Sequence, residues 1–121
     1  MTQPTARPTI TSLRTQLRRF AAARDWQQFH TPKNLAMALS VEAAELMECF
    51  QWLTPEQSAQ LAGRERHAVE EEIADVLLYL LRLSDVLGID PLHAAQRKIA
   101  VNAKNYPVST SRGSARKPAR R

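Results

Sequence analysis

Apolar residues recur every three or four positions along most of this chain, which is the periodicity of amphipathic helices. A first such segment runs from about Thr11 to about Gln28, with Leu13, Leu17 and Phe20 on its apolar side. No segment shows the strict alternation of apolar and polar residues that is typical of a strand. The pattern therefore predicts an all-α fold.

Three further helix starts are marked by Thr-Pro or Asp-Pro pairs, since Thr and Asp cap helices and proline is favoured at the first helical position. They predict a helix over 31–53, a short turn or helix over 54–61, and a last helix over 90–106. Gly63 stands where a left-handed residue ends the short element. The four long helices, which are the first segment, the helices over 31–53 and 90–106 and the long helix described next, predict a four-helix bundle.

A long helix is predicted from about Arg64 to Leu87, and its run Val76–Leu81 is apolar on every side. One partner layer cannot bury such a helix, so a second surface has to cover it. That cover comes either from another copy of the chain, which predicts a homo-oligomer, or from neighbouring helices of the same chain.

The charge of the chain is unevenly distributed. Of its 121 residues, 17 are Lys or Arg and 12 are Asp or Glu, which gives a formal net charge of +5. Residues 1–107 carry twelve charges of each sign, so the whole excess lies in residues 108–121. We therefore expect one helical domain over 1–107, followed by a disordered basic tail over 108–121.

The single cysteine, Cys49, indicates a reducing compartment. It has no partner for an internal disulfide and lies within an apolar helical pattern. The N-terminus has no apolar signal core. The longest unbroken apolar run is far shorter than the ~18 residues of a spanning helix. These features predict a cytoplasmic protein and no membrane segment.

The residues with candidate chemistry are two acidic pairs, Glu42 with Glu45 and Glu72 with Asp75, each spaced by three. This spacing places both carboxylates of a pair on one helix face, at the border of the apolar side. If the two helices pack antiparallel, four carboxylates converge and favour a hard divalent cation, above all Mg²⁺. The same spacing also occurs on solvated helix faces, where it binds nothing.

The segments RDWQQFHTPKNLAMALSVEAAELMECFQW, EEEIADVLLYLLRLSDVLGID and KIAVNAKNYPV occur in that order. Together they resemble the MazG-like all-α nucleoside triphosphate pyrophosphohydrolases, most closely the dCTP pyrophosphatase-like branch. The resemblance covers about Leu13 to Val108. Each acidic motif is short, but their order and the flanking tryptophans make the combined match specific.

The resemblance implies an oligomeric hydrolase that cleaves a (deoxy)nucleoside triphosphate, dCTP-like or non-standard, into the monophosphate and pyrophosphate. Mg²⁺ would be its cofactor, with Mn²⁺ as a substitute, and its assembly a homodimer or homotetramer. The metal ligands and catalytic residues it implies are Glu42, Glu45, Glu72 and Asp75. The substrate-binding residues it implies are Trp26, Trp52, Tyr79, Lys98, Asn102 and Lys33.

Two departures and two alternatives accompany this interpretation. Some dCTP-cleaving relatives carry a histidine where Leu17 stands in this chain. Family members carry Glu-Val-Gly-Glu as the first acidic motif, whereas this chain has Ala43 and Ala44 between the two glutamates. Within the same superfamily, dUTP or phosphoribosyl-ATP is an alternative substrate. A different class remains as well, a non-catalytic helical interaction module whose basic tail binds nucleic acid.

Overall fold

The computed structural model describes residues 7–117, and every regular element in that range is a helix, so the all-α prediction is confirmed. The helices are α1 (Ile10–Ala23), α2 (Pro32–Glu48), α3 (Pro55–Ser58), α4 (Gly63–Val86), α5 (Pro91–Asn105) and α6 (Val108–Ser111). None of these described helices is long and apolar enough to cross a bilayer.

The three predicted helix starts are present, each with proline in the first turn. The hydroxyl of Thr31 accepts a hydrogen bond from the Asn34 backbone N–H at 3.2 Å. Thr54 and Gln57 exchange two such bonds in a capping box. The carboxylate of Asp90 accepts from two backbone N–H groups of α5. Local capping chemistry therefore sets where α2, α3 and α5 begin.

The first helix is five residues shorter than its pattern predicts, and the prediction that it continues to about Gln28 is wrong. It ends at Ala23, and Asp25 adopts a left-handed conformation with φ of 55°. Aspartate tolerates that region better than most residues. The chain then turns, and the Trp26 N–H donates back to the Ala21 carbonyl at 2.9 Å. A loop thus replaces the last predicted turn. The second helix likewise ends at Glu48, and turns follow it up to residue 53.

The helix α4 is the centre of the first compact unit, which ends at Gly88. It packs against both α1 and α2. The apolar residues buried most deeply in this packing are Ala21, Leu35, Val69 and Leu81. Another side of α4 is open, since Ile73, Leu77 and Leu80 are 52%, 38% and 42% exposed. The prediction that one layer does not cover this helix agrees with that exposure.

A charged network ties α1 to α4 through Asp85, whose side chain is only 8% exposed. Arg18 donates two hydrogen bonds to its carboxylate, at 2.6 and 2.5 Å. Guanidinium nitrogens of Arg14 and Arg82 lie 3.8 and 3.7 Å from it. The bonds from Arg18, and then the positive charges around it, lower the pKa of Asp85. Three cations therefore hold this carboxylate ionised.

The second compact unit starts at Ile89 and contains α5 and α6. The segment predicted as a disordered basic tail begins with α6, so its first residues form one helical turn. Residues 118–121 of that segment lie outside the described range, and the division into a domain over 1–107 and a tail stays a prediction.

We expect Asp85→Asn to lower the free energy of unfolding by about 2 kcal/mol at pH 7, because the buried guanidinium of Arg82 loses its counter-charge. The pKa of Asp85 is lower in the folded than in the unfolded chain, so its stabilisation is complete above the unfolded value. The wild type should lose this contribution as the pH falls below about 4.

Urea unfolding between pH 7 and pH 3 measures both effects. Glu65→Gln, an exposed acidic position in the first turn of α4, is the control. Equal stabilities and equal acid dependence of the two variants would contradict the role given to Asp85.

Candidate functional site

The acidic pairs of α2 and α4 meet where these two helices pack. Carboxylate oxygens of Glu42, Glu45 and Glu72 all lie within 4.8 Å of one another. The fourth predicted member, Asp75, lies one helical turn beyond Glu72, and its charge acts on both Glu42 and Glu72. Three of the four predicted carboxylates therefore come together, and the fourth acts on them through its charge.

The electrostatics of this acidic cluster are unfavourable in the protein alone. One carboxylate oxygen each of Glu42 and Glu72 is shielded from solvent and has no hydrogen-bond partner among the described residues. Burial, and then the nearby Glu45 and Glu72 side chains, raise the pKa of Glu42 to about 7. The pKa of Glu72 is also raised, chiefly by burial. Two acids thus resist ionisation at the same place.

A hard divalent cation fits this donor set. Its ligands would be oxygens only, as Mg²⁺ and Mn²⁺ prefer. Its charge would compensate the repulsion between the glutamates and give the unpartnered oxygens of Glu42 and Glu72 a partner. Cation binding would also require both acids to lose their protons, so it competes with protonation.

A cavity of about 170 Å³ lies beside the acidic cluster in the same unit. Its walls come from α1, from the loop after α1 and from α4, through Leu17, Phe20, Trp26, His30, Asp75, Leu78, Tyr79 and Arg82. Asp75 belongs to both places, since it lines the cavity and acts electrostatically on the glutamates. A ligand could therefore occupy the cavity and reach the acidic cluster.

Aromatic rings form part of the wall of this cavity. Trp26 meets the ring of Phe20 edge to face, with centroids 5.6 Å apart and planes at 72°. The guanidinium of Arg24 lies 3.6 Å above the other ring of this pair, that of Phe20. His30 packs at an angle of 64° to the indole. The short α1 is essential here, because its early end lets the loop turn Trp26 and His30 towards α4.

The cavity contains some of the predicted substrate-binding residues and not others. Trp26 and Tyr79 both line it. Trp52 is 86% exposed and is not among the lining residues. Lys33 is exposed in the first turn of α2, and Lys98 and Asn102 are exposed on α5. The proposed roles of these last four residues stay predictions.

Arg82 is the residue that the sequence-based reasoning missed. A charged residue inside the apolar stretch of α4 was a signal, because arginine is rarely buried without a partner. In the structure it is only 8% exposed and hydrogen-bonds to His30 in the cavity wall.

Comparisons with known proteins point in one direction. A sequence profile of the MazG-like family matches residues 37–118. The dCTP pyrophosphatase 1 of Bos taurus is 44% identical over 110 residues, which cover 89% of this chain. Its Homo sapiens counterpart is 42% identical over 112 residues, or 91% of this chain. The chain spans only about 65% of the length of the Bos taurus relative and 66% of the human one.

A solved structure is also similar to this chain. It is the crystal structure of a pyrophosphatase from Archaeoglobus fulgidus, with a TM-score of 0.77 and 43% sequence identity. The match covers 88% of this chain and 99% of the archaeal one. The arrangement of helices and the sequence therefore agree on the same relationship.

We expect Glu42→Gln to stabilise the metal-free protein above pH 7 by about 1 kcal/mol, because it removes a repelled carboxylate. The pKa of Glu42 is about 7 when folded, against an ordinary 4.5. Its favourable contribution is therefore complete below pH 4.5 and disappears as the pH rises to 7. Thermal unfolding in a chelator from pH 4.5 to pH 8 measures this loss.

Glu48→Gln on the same helix is the matched control, since its side chain lies outside the acidic cluster. The wild type and the control should lose stability over this pH range, whereas Glu42→Gln should lose less. If all three proteins follow the same curve, the carboxylates do not repel one another as described.

Proposed function

The chain belongs to the MazG-like family, and we propose that it hydrolyses (deoxy)nucleoside triphosphates to the monophosphate and pyrophosphate with Mg²⁺. The observation that carries the proposal is the acidic cluster of α2 and α4 beside the aromatic cavity, together with Asp75, which lines the cavity and acts electrostatically on the glutamates. The name of the dCTP pyrophosphatase relatives supports the same chemistry. Such an enzyme would remove surplus or non-standard nucleotides.

Glu42, Glu45, Glu72 and Asp75 are the proposed metal ligands, and Mn²⁺ could replace Mg²⁺ among such oxygens. A cation bound there supplies charge compensation for the phosphates and acidifies a bound water. The chain contributes the fixed positions of the carboxylates, which two packed helices hold together. The water oxygen would form a bond to the α-phosphorus while the α–β anhydride bond breaks, so the products would be the nucleoside monophosphate, pyrophosphate and a proton.

The size of the cavity favours a base with a single ring. An apolar protein cavity of about 150 Å³ binds benzene, and this one has about 170 Å³. A pyrimidine ring therefore matches this volume, and Trp26 and Tyr79 in the lining offer aromatic faces, on which stacking is worth about 1–3 kcal/mol. Purine triphosphates would leave part of the base outside. We accordingly favour dCTP or a modified pyrimidine triphosphate as substrate, with dUTP and phosphoribosyl-ATP as alternatives.

We also propose that the chain acts as a homodimer or homotetramer. Ile73, Leu77 and Leu80 on α4 are exposed although they are large and apolar. The apolar residues that are buried form a small core for a chain of this length. A second copy that covers the open side of α4 would supply the missing apolar contacts.

The decisive activity assay measures pyrophosphate release from a panel of triphosphates with Mg²⁺. We expect turnover of pyrimidine deoxynucleotides and a loss of at least about 100-fold in Glu45→Ala, because a metal ligand is removed. Glu48→Ala, three residues away on α2, should keep wild-type activity. No turnover on any triphosphate, or full activity in Glu45→Ala, would contradict the proposed function.

The oligomer is tested by sedimentation velocity on the wild type and on Leu80→Glu. A charge placed in a covered apolar interface should dissociate the assembly or reduce the association constant at least about 100-fold. Arg66→Glu, at an exposed position of the same helix, is the control. A monomeric wild type would overturn this part of the proposal.

A further inference from the structure

A partly buried hydrogen bond joins two polar residues of the cavity wall. Arg82 Nε donates to Nδ1 of His30 at 3.0 Å. Asp85 also holds the guanidinium in place, because Arg82 Nη1 lies 3.7 Å from the Asp85 carboxylate. Arg18 in turn binds that carboxylate from α1. Both helices therefore fix the position from which Arg82 reaches His30.

This bond decides where the proton of His30 resides. An arginine side chain has donors and no acceptor, so Nδ1 must present a lone pair. In the neutral imidazole the proton is then on Nε2. A ring turned over would place a carbon against Nε and leave a buried cation without its acceptor. Burial, and then the charge of Arg82, also lower the pKa of His30, which favours the neutral ring.

The remaining nitrogen of His30 is free to meet a ligand. Among the described residues no group pairs with Nε2, and it is not one of the shielded polar atoms without a partner. His30 lines the cavity together with Trp26 and Tyr79. The polar group that the imidazole can offer to an occupant is therefore the Nε2–H donor.

We infer that Arg82 is a positioning residue that fixes His30 as a hydrogen-bond donor, so that the cavity selects a pyrimidine whose N3 is an acceptor. Cytosine is such a base, since its N3 carries no proton. Uracil and thymine carry a proton on N3 between their two carbonyl groups. The inference rests on the proposed function, and it assigns base discrimination to a residue pair outside the acidic cluster.

Without Arg82 the neutral imidazole could adopt either tautomer. Its nitrogen in the cavity could then accept a hydrogen bond from the N3–H of uracil as readily as donate to cytosine. Loss of the arginine should therefore weaken discrimination between these bases. General damage to the site would instead reduce turnover of both substrates by the same factor.

The kinetic test compares kcat/KM for dCTP and dUTP in the wild type, Arg82→Met and the exposed control Arg66→Met. We expect the wild type and the control to prefer dCTP, and Arg82→Met to lose about tenfold of that preference, the value of one hydrogen bond. An unchanged ratio in folded, active Arg82→Met would overturn the inference. If the wild type cleaves no triphosphate, the proposed function fails instead.

A second measurement needs neither activity nor the Arg82 variant. Nitrogen-15 NMR of the histidines distinguishes a protonated from an unprotonated ring nitrogen, and the spectrum of His30→Gln identifies the signals of His30. The inference predicts an unprotonated Nδ1 and a protonated Nε2 in the wild type at pH 7.5. A predominant Nδ1–H tautomer would overturn it whatever the kinetics.

The variants His30→Gln and His30→Asn complete the test, because glutamine carries its amide near the Nε2 position and asparagine near Nδ1. His30→Gln should retain more of the preference for dCTP than His30→Asn, although both remove the imidazole. If the two variants have the same ratio of kcat/KM values, His30 does not read the base.

Discussion

Carboxylates repel one another at the contact between α2 and α4, and the packing of these two helices has to overcome that repulsion. Two like charges about 5 Å apart repel by roughly 3 kcal/mol at an effective dielectric of 20. The packing of the helices keeps Glu42, Glu45 and Glu72 within 4.8 Å regardless. The raised pKa of Glu42 and of Glu72 is the visible result. Apolar packing thus holds in place a cluster of charge that only a cation, or protons, can compensate.

The helix α4 connects this cluster to the cavity and to Asp85, an acid that is surrounded by positive charges. Along α4, Glu72 contacts the acids of α2, Asp75 lies at the edge of the cavity, and Arg82 lies in its wall. One turn further, Asp85 is surrounded by cations and has a lowered pKa. The acids in the middle of α4 therefore lack compensating positive charge, whereas the acid near its C-terminal end has more than it needs. Ligand binding is expected where compensation is missing, and rigidity where it is complete.

The sequence predicted those features that depend on local chemistry. The Thr31 and Asp90 starts follow from capping, and the acidic pairs follow from a spacing of three on a helix. The early end of α1 was not predictable from periodicity, because it depends on one residue, Asp25, in a left-handed conformation. The contact of Arg82 with His30 spans 52 positions and exists only once the loop is folded against α4. The aromatic and polar walls of the cavity therefore required the structure.

The acidic cluster should bind a divalent cation, and the adjoining cavity should bind the base of the nucleotide. Crystals grown with Mn²⁺ and a non-hydrolysable dCTP analogue, measured at the manganese absorption edge, test both sites at once. We expect anomalous density among the carboxylates of Glu42, Glu45 and Glu72, and a cytosine ring beside Trp26 and His30. Analogue bound with no manganese at these carboxylates, or with its base outside the cavity, would show that the sites are assigned wrongly.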